Sequence, residues 1–227
     1  MTGAPGPIVS VHVPKTGGVS FREVLAELAD GHIVFDYDDR PLSPAPPFAR
    51  LLRRLRRPAL PSGTRVVHGH FVASKYRRLL PAARFATWFR DPVERLASHY
   101  HYWLREPDPA NATCRRLIEE KLSLAEFAAL PEMRDVHHRF LGGVPVERFA
   151  FVGLTERFDE SMELFGALFC PERPLAVGRA NANPGRSGER YDLGDGERAA
   201  LAALNRADVL LHERAVRRFE ALRAGIG

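Results

Sequence analysis

An α/β fold, with helices flanking a central and mostly parallel sheet, is predicted by three stretches in which an apolar run gives way to a turn and then to helical spacing: residues 8–28, 85–104 and 148–169. Alternating strand and helix require each helix to cross back over the sheet, and such connections favour parallel pairing. The 227 residues are enough to bury a sizeable core, so residues 1–227 are read as a single domain.

Composition narrows the class. An apolar share of 45% and a charged share of 27% are those of a soluble globular protein. No run approaches the roughly 18 apolar residues of a membrane span, and M-T-G-A-P-G-P has neither the charged nor the apolar region of a secretory signal, so a cytoplasmic location is expected. Cys114 and Cys170 are too few for a disulfide framework and lack metal-site spacing; they read as small buried hydrophobes. The net charge of +5 fits an anionic ligand but is too diffuse to argue for nucleic acid. Only Lys15, Lys75 and Lys121 are lysines in a chain that otherwise uses arginine, and Lys15 sits beside a Gly-Gly pair, where a compact ammonium suits an anion.

The first unit, I-V-S-V-H-V-P-K-T-G-G-V-S-F over residues 8–21, reads as strand, anion-binding loop and helix, with Phe21, Val24, Leu25 and Leu28 on one helical face. Gly17 and Gly18 let backbone N–H groups approach a ligand, and the unpaired amides of the first helical turn attract negative charge. Lys15, Thr16 and Ser20 add an ammonium and two hydroxyls. The lysine precedes the glycines, so the loop is not the G-x-x-x-x-G-K-[ST] loop of nucleotide triphosphatases.

Residues 31–47 lose periodicity, with Asp36, Asp38 and Asp39 followed by four prolines, and read as a loop or ordered excursion. Residues 48–57, F-A-R-L-L-R-R-L-R-R, read as a short basic amphipathic helix with a solvated face; an acidic substrate or a membrane surface is the other reading. Arg65–His68 reads as a strand followed by Gly69-His70-Phe71. His68 and His70 are expected on opposite sides of the chain, so that only one need face a cleft. As a metal site the pair lacks a third ligand.

Phe85–Arg90 reads as the next strand, Asp91 as an N-cap and Pro92 as the first helical residue, where its missing N–H matters least. Val93, Leu96, Ala97, Tyr100 and Leu104 mark the expected buried face, and Tyr100 to Trp103 form an aromatic cluster. Residues 113–141 look helical, with a capping box at Ser123–Glu126 and a stop at Leu141-Gly142-Gly143; His137 and His138 read as surface or packing residues. Arg148–Gly153 reads as a strand, and a helix from Thr155 carries Phe158, Met162, Phe165 and Phe169. Residues 171–194 form a polar, basic loop. A helix from Asp208 carries Leu211, Ala215, Phe219 and Leu222 on one face.

Four segments carry a family resemblance. Pro14-Lys15-Thr16-Gly17-Gly18-Val19-Ser20-Phe21 resembles the 5′-phosphosulfate loop of sulfotransferases that use 3′-phosphoadenosine 5′-phosphosulfate (PAPS). His68-Gly69-His70-Phe71 resembles the catalytic-base segment of the carbohydrate (heparan sulfate) 2-O-sulfotransferase branch. R-D-P-x-x-R-x-x-S at 90–98 resembles the 3′-phosphate segment, and F-V-G-L-T-E-R-F-D-E-S at 151–161 a late strand–helix unit. The resemblance implies a P-loop-NTPase-like three-layer fold and sulfuryl transfer from PAPS to an acceptor hydroxyl on a carbohydrate, glycolipid or secondary metabolite, with PAP as product and no metal. It implies residues 15–21 around the 5′ end, Lys15 on the departing phosphate, His70 as base with His68 beside it, Arg90 and Ser98 on the 3′-phosphate, and Arg186 in a closing loop. The expected partner is a hydroxyl-bearing small molecule or glycan, with no nucleic acid and no transmembrane segment. Residues 36–63 and 105–147 match least and are where the acceptor would be chosen. A nucleotide kinase or NTP hydrolase on the same strand–loop–helix, and a non-catalytic nucleotide- or glycan-binding module, are the alternatives.

Overall fold

The computed structural model describes residues 6–44, 46–55, 58, 60–172 and 190–226. Five strands, β1 (Ile8–Val11), β2 (Ile33–Asp36), β3 (Val66–Gly69), β4 (Arg84–Phe89) and β5 (Phe151–Leu154), form one all-parallel sheet in the order β2-β3-β1-β4-β5. Helices flank it, as expected for the P-loop-NTPase-like α/β class. They are α1 (Gly18–Ala29), α2 (Pro47–Leu55), α3 (Ala73–Leu79), α4 (Pro92–Arg105), α5 (Ala112–Glu119), α6 (Leu124–Ala129), α7 (Val136–Leu141), α8 (Phe158–Phe169), α9 (Asp195–Leu204) and α10 (Arg206–Ala224). Among the described residues no helix is long and apolar enough to cross a membrane.

The strand order decides where chemistry can sit. From β1 the chain runs to β2 and β3 on one side, then crosses to β4 on the other. The carboxyl ends of β3, β1 and β4 are therefore neighbours where the connections diverge, the usual ligand position of an open parallel sheet. Ser10 of β1 lies in register between His68 of β3 and Ala86 of β4.

Two apolar cores hold this frame. The larger packs the sheet against α1, α8 and α10: Phe21 meets Trp88 edge-on at 5.4 Å and Phe165 at 4.8 Å, and Phe219 of α10 is buried in the same core. Each such fully buried ring contributes about 1.5–3 kcal/mol. The smaller joins α4, α5, α6 and α9 through Trp103, Leu117, Phe127 and Leu201. Asp91 caps α4 by accepting from the Val93 and Glu94 amides at 3.0 Å, and Ser123 and Glu126 form the expected capping box on α6. Gly142 ends α7 in the left-handed region.

Two expectations need correction. Residues 31–47 contain a strand, β2, unreadable as such because it is the sheet edge with Phe35 exposed and so lacks buried alternation. The face of α4 is broader than its apolar residues suggest: Leu104 is exposed, while Arg95, Ser98 and His99 are buried. Two of the acidic residues before the prolines close a buried cluster. Lys75 donates to Asp36 at 2.7 Å and Asp39 at 2.8 Å, Tyr76 donates to Asp36 at 2.8 Å, and Asp39 accepts the Val72 amide at 3.2 Å. All four side chains are buried, so this cluster ties the β2 exit to α3. Removing one partner of a buried ion pair strands the others away from water. Lys75→Met should therefore lower unfolding free energy by roughly 3–5 kcal/mol, read as a reduced urea midpoint; a loss under about 1 kcal/mol would contradict the cluster's role.

Candidate active site

The loop between β1 and α1 is built from two left-handed residues and one close approach. Lys15 (φ 70°) and Gly17 (φ 84°) turn the chain, and Gly17 leads directly into the first turn of α1. Lys15 holds a conformation that costs a non-glycine residue about 1–3 kcal/mol and is characteristic of functional loops. Gly18 is needed for another reason: a Cβ there would lie 2.0 Å from Nε2 of His12. The pair of glycines thus serves backbone direction at one position and an imidazole at the next. Thr16 is buried, its hydroxyl donating to the Val13 carbonyl at 2.8 Å, so it braces the loop from within. The side chains of Val19 and Ser20 lie outside the described atoms; their backbones are in the first turn of α1. Phe21 follows with its ring in the sheet core.

The second corner, from β4 into α4, touches the first. Nη1 of Arg90 donates to the Lys15 carbonyl at 3.3 Å. A third corner, from β5 toward α8, ties them together: the Thr155 hydroxyl lies 2.9 Å from the Thr16 carbonyl and 3.0 Å from that of Phe89, and Glu156 accepts the Asp91 amide at 2.8 Å. Ser98 is buried two turns into α4, on the helix that carries Arg95, His99 and Tyr102. The Lys15 ammonium sits 3.8 Å above the Tyr102 ring centre. Burial, then Arg105 and Arg90, push its pKa down to about 8. Cations outweigh acids around this ammonium, an imbalance that a bound anion would relieve.

Arg95 extends that imbalance. It is fully buried, with Nη1 3.5 Å from Nδ1 of His99, while its Nε and Nη2 find no acceptor among the described residues. Burial, opposed in part by Asp208, holds its pKa down to about 10. Sequence reasoning treated Arg95 as an unassigned position in R-D-P-x-x-R-x-x-S; its place within the spacing was the available signal.

His68 and His70 lie on the same side, not opposite ones. The two stand two residues apart, the period of strand alternation, so they share a face; between them Gly69 ends the strand, where a Cβ would lie 1.8 Å from the Asp36 carbonyl. His12 joins them, its ring 5.1 Å from His68 and 4.7 Å from His70. Sequence reading missed His12; its position just before Pro14-Lys15 was the clue. Nδ1 of His68 is 2.9 Å from the Ser10 hydroxyl, and Tyr37 stands edge-on to His70 at 4.8 Å. His12 Nδ1, His68 Nε2 and His70 Nε2 have no partner among the described residues. Burial pushes His70 down to about 4 and, with His70 and Arg22, His68 down to about 3; His12 and His99 are also lowered well below the ordinary imidazole value, chiefly by burial. These rings are neutral acceptors and donors at neutral pH.

Arg186 lies outside the described residues. The chain on their far side is pinned to α4: Glu94 accepts from the Tyr191 amide at 3.0 Å and from Arg198 at 2.9 Å, and Tyr191 stacks on His101 at 5.0 Å. His137, stacked on Phe89 at 4.8 Å and bonded through its amide to Asp208, is a packing residue. Among the described residues no group of acids, histidines or cysteines is arranged to hold a metal ion.

No protein-family model matches the chain, and no curated protein matches it. Solved structures do. The crystal structure of a sulfotransferase from Alicyclobacillus acidocaldarius is similar with a TM-score of 0.53 and 17% identity, covering 97% of this chain and 99% of that one. Mouse sulfotransferase SULT7A1 complexed with PAP is similar with a TM-score of 0.39 and 14% identity, over 88% of this chain and 64% of that one. The first likeness shows a shared fold along nearly the whole of both chains.

The neutral imidazoles have a consequence for stability. Unfolded, each binds a proton near pH 6.5; folded, His70 does so only near 4 and His68 near 3. Between those values the unfolded state holds more protons, so stability is complete above about pH 6.5 and falls on acidification, by roughly 1.4 kcal/mol per pH unit for each ring kept neutral. Urea midpoints measured from pH 7 to pH 5 should decline accordingly, and a flat profile would contradict the cluster's burial.

Proposed function

We propose that this chain is a sulfotransferase that moves a sulfuryl group from PAPS to an acceptor hydroxyl, with His70 as the base. One observation carries the reading: the Lys15 loop and the Arg90 corner are neighbours, joined through the Lys15 carbonyl, with the His70 cluster packed on the same loop through His12 and Gly18. The fold shared with the Alicyclobacillus sulfotransferase supports it. So does the balance of charge, since Lys15, Arg90 and Arg95 form a cation-rich corner suited to a nucleotide with phosphates at both ends.

The residues divide the work. Backbone amides at Gly17 and Gly18 and the N-terminus of α1 receive the 5′-phosphosulfate oxygens. Lys15 stabilises the charge that grows on the departing 5′-phosphate as its bond to sulfur breaks. His70, neutral and with an unpartnered Nε2, takes the proton of the acceptor hydroxyl as that oxygen bonds to sulfur; His12 and His68 hold its ring in place. Arg90 and Ser98 hold the 3′-phosphate, with Arg95 one turn before Ser98 adding positive charge. Thr16 acts through the loop geometry it braces. In-line transfer needs alignment above all, which corners tied to one another supply.

The acceptor is read as a carbohydrate or another molecule with a ring face. Phe35 and Tyr37 are exposed, and their rings stand edge-on to His68 at 6.3 Å and His70 at 4.8 Å. Exposed rings beside a base suit the apolar face of a sugar.

His70→Ala should lower kcat by about 10²–10⁴ while PAP binding persists. In the parent enzyme kcat/KM should hold its plateau from pH 8 down to pH 6, without the fall near 6.5 of an ordinary imidazole base, and should decline above about 8 with Lys15. Turnover unchanged in the variant rejects the assignment. For Arg90→Ala the measurement is relative kcat/KM for PAPS and adenosine 5′-phosphosulfate: loss of discrimination is expected, and retained discrimination assigns the 3′-phosphate elsewhere.

A further inference from the structure

Helix α2 is built unlike the other helices of this fold. Phe48, Leu51, Leu52 and Leu55 recur at the spacing of a single helical stripe, the pattern that elsewhere in the chain faces a core. Here the stripe is exposed: Phe48 is 70% accessible, and the three leucines are about half accessible or more. Arg50, Arg53 and Arg54 fall at the opposite positions of the helical wheel, and Arg56 and Arg57 follow in sequence. The charge bias reaches further. From residue 40 to residue 90 the chain has twelve arginines and lysines and no aspartate or glutamate, although the net charge of the whole is only +5. Of these cations Lys75 is neutralised by Asp36 and Asp39, while Arg77 and Arg78 of the adjoining α3 are exposed.

We infer that α2 docks this protein onto an anionic lipid surface. The helix lies in the interface plane, with its apolar stripe at the acyl boundary and its arginines among the headgroups. Charge and shape together select this partner. A polyphosphate or nucleic acid would meet the arginines but leave four exposed apolar side chains in water. A second copy of the chain would cover the stripe but bring two acid-free, arginine-rich segments together. An anionic bilayer satisfies both features at once, which is how basic amphipathic helices bind membranes. At nine residues the helix is far too short to cross a bilayer, so it binds on the surface. Its place in the chain links the surface to the chemistry, because the segment leading into α2 begins at Asp36 and Asp39, beside Tyr37 and His70.

The test needs neither PAPS nor an acceptor, so its outcome is separate from that of the proposed transfer. The full chain is sedimented with sucrose-loaded vesicles of phosphatidylcholine alone or of phosphatidylcholine and phosphatidylserine at 7:3. Partition should be at least about tenfold higher on the anionic vesicles and should weaken with added salt. The variant Phe48→Ser/Leu51→Ser/Leu55→Ser should lose about tenfold or more with its melting temperature unchanged, and Arg53→Gln/Arg54→Gln should lose binding chiefly to the anionic vesicles. Equal partition onto both vesicles, no partition, or partition indifferent to both variants overturns the inference. So does sedimentation velocity showing a parent dimer that the triple variant makes monomeric, which would assign the stripe to a second copy.

Discussion

Three strand-to-helix corners meet at three backbone carbonyls, and the transfer proposed for this protein depends on that meeting. Arg90 reaches the Lys15 carbonyl from β4, and Thr155 reaches the Thr16 and Phe89 carbonyls from β5. Each bond alone is modest, about 0.5–1.5 kcal/mol for a neutral donor and about 1.5–3 for a charged one. Their value is geometric. The loop after β1 has a left-handed lysine and glycine, and its shape is set by Thr16 from within and by neighbours from distant parts of the chain. The transfer proposed for this site, which must align two oxygens around the moving group, needs this kind of external bracing.

The second constraint is electrostatic. Around the loop the protein buries cations beside cations and imidazoles beside imidazoles: Lys15 is depressed by burial, Arg105 and Arg90, and the three clustered histidines are neutral. A structure optimised for stability alone would pair such groups with acids, as it does for Lys75 with Asp36 and Asp39. The two clusters contrast, one closed on itself and one short of negative charge, and the proposed ligand site falls on the second. The exposed stripe of α2 is the same kind of mismatch in apolar form, the observation on which the inferred docking surface rests.

Much of this was legible along the chain because it is local. The P-K-T-G-G turn, the Asp91-Pro92 helix start, the capping box at Ser123–Glu126 and the glycine stop at Gly142 depend on neighbours within four residues, so their chemistry can be read directly. β2 was missed because an edge strand with one exposed face shows no alternation. His12 and Arg95 were passed over because nothing in their immediate neighbourhood distinguishes them. One acquires meaning from imidazoles nearly sixty residues away, the other from its complete burial.

Residue identity alone determined the alternation of strand and helix, the phosphate-suited character of the first loop and the arginine–serine spacing on α4, since propensity, capping and glycine freedom act over a few bonds. Only the folded chain decided that His12 joins His68 and His70, that Thr16 faces inward, that Asp36 and Asp39 enclose Lys75, and that the stripe of α2 stays uncovered. These depend on which segments the parallel sheet brings together: the register of β1 with β3 and the order of five strands set those contacts, and no local preference encodes them.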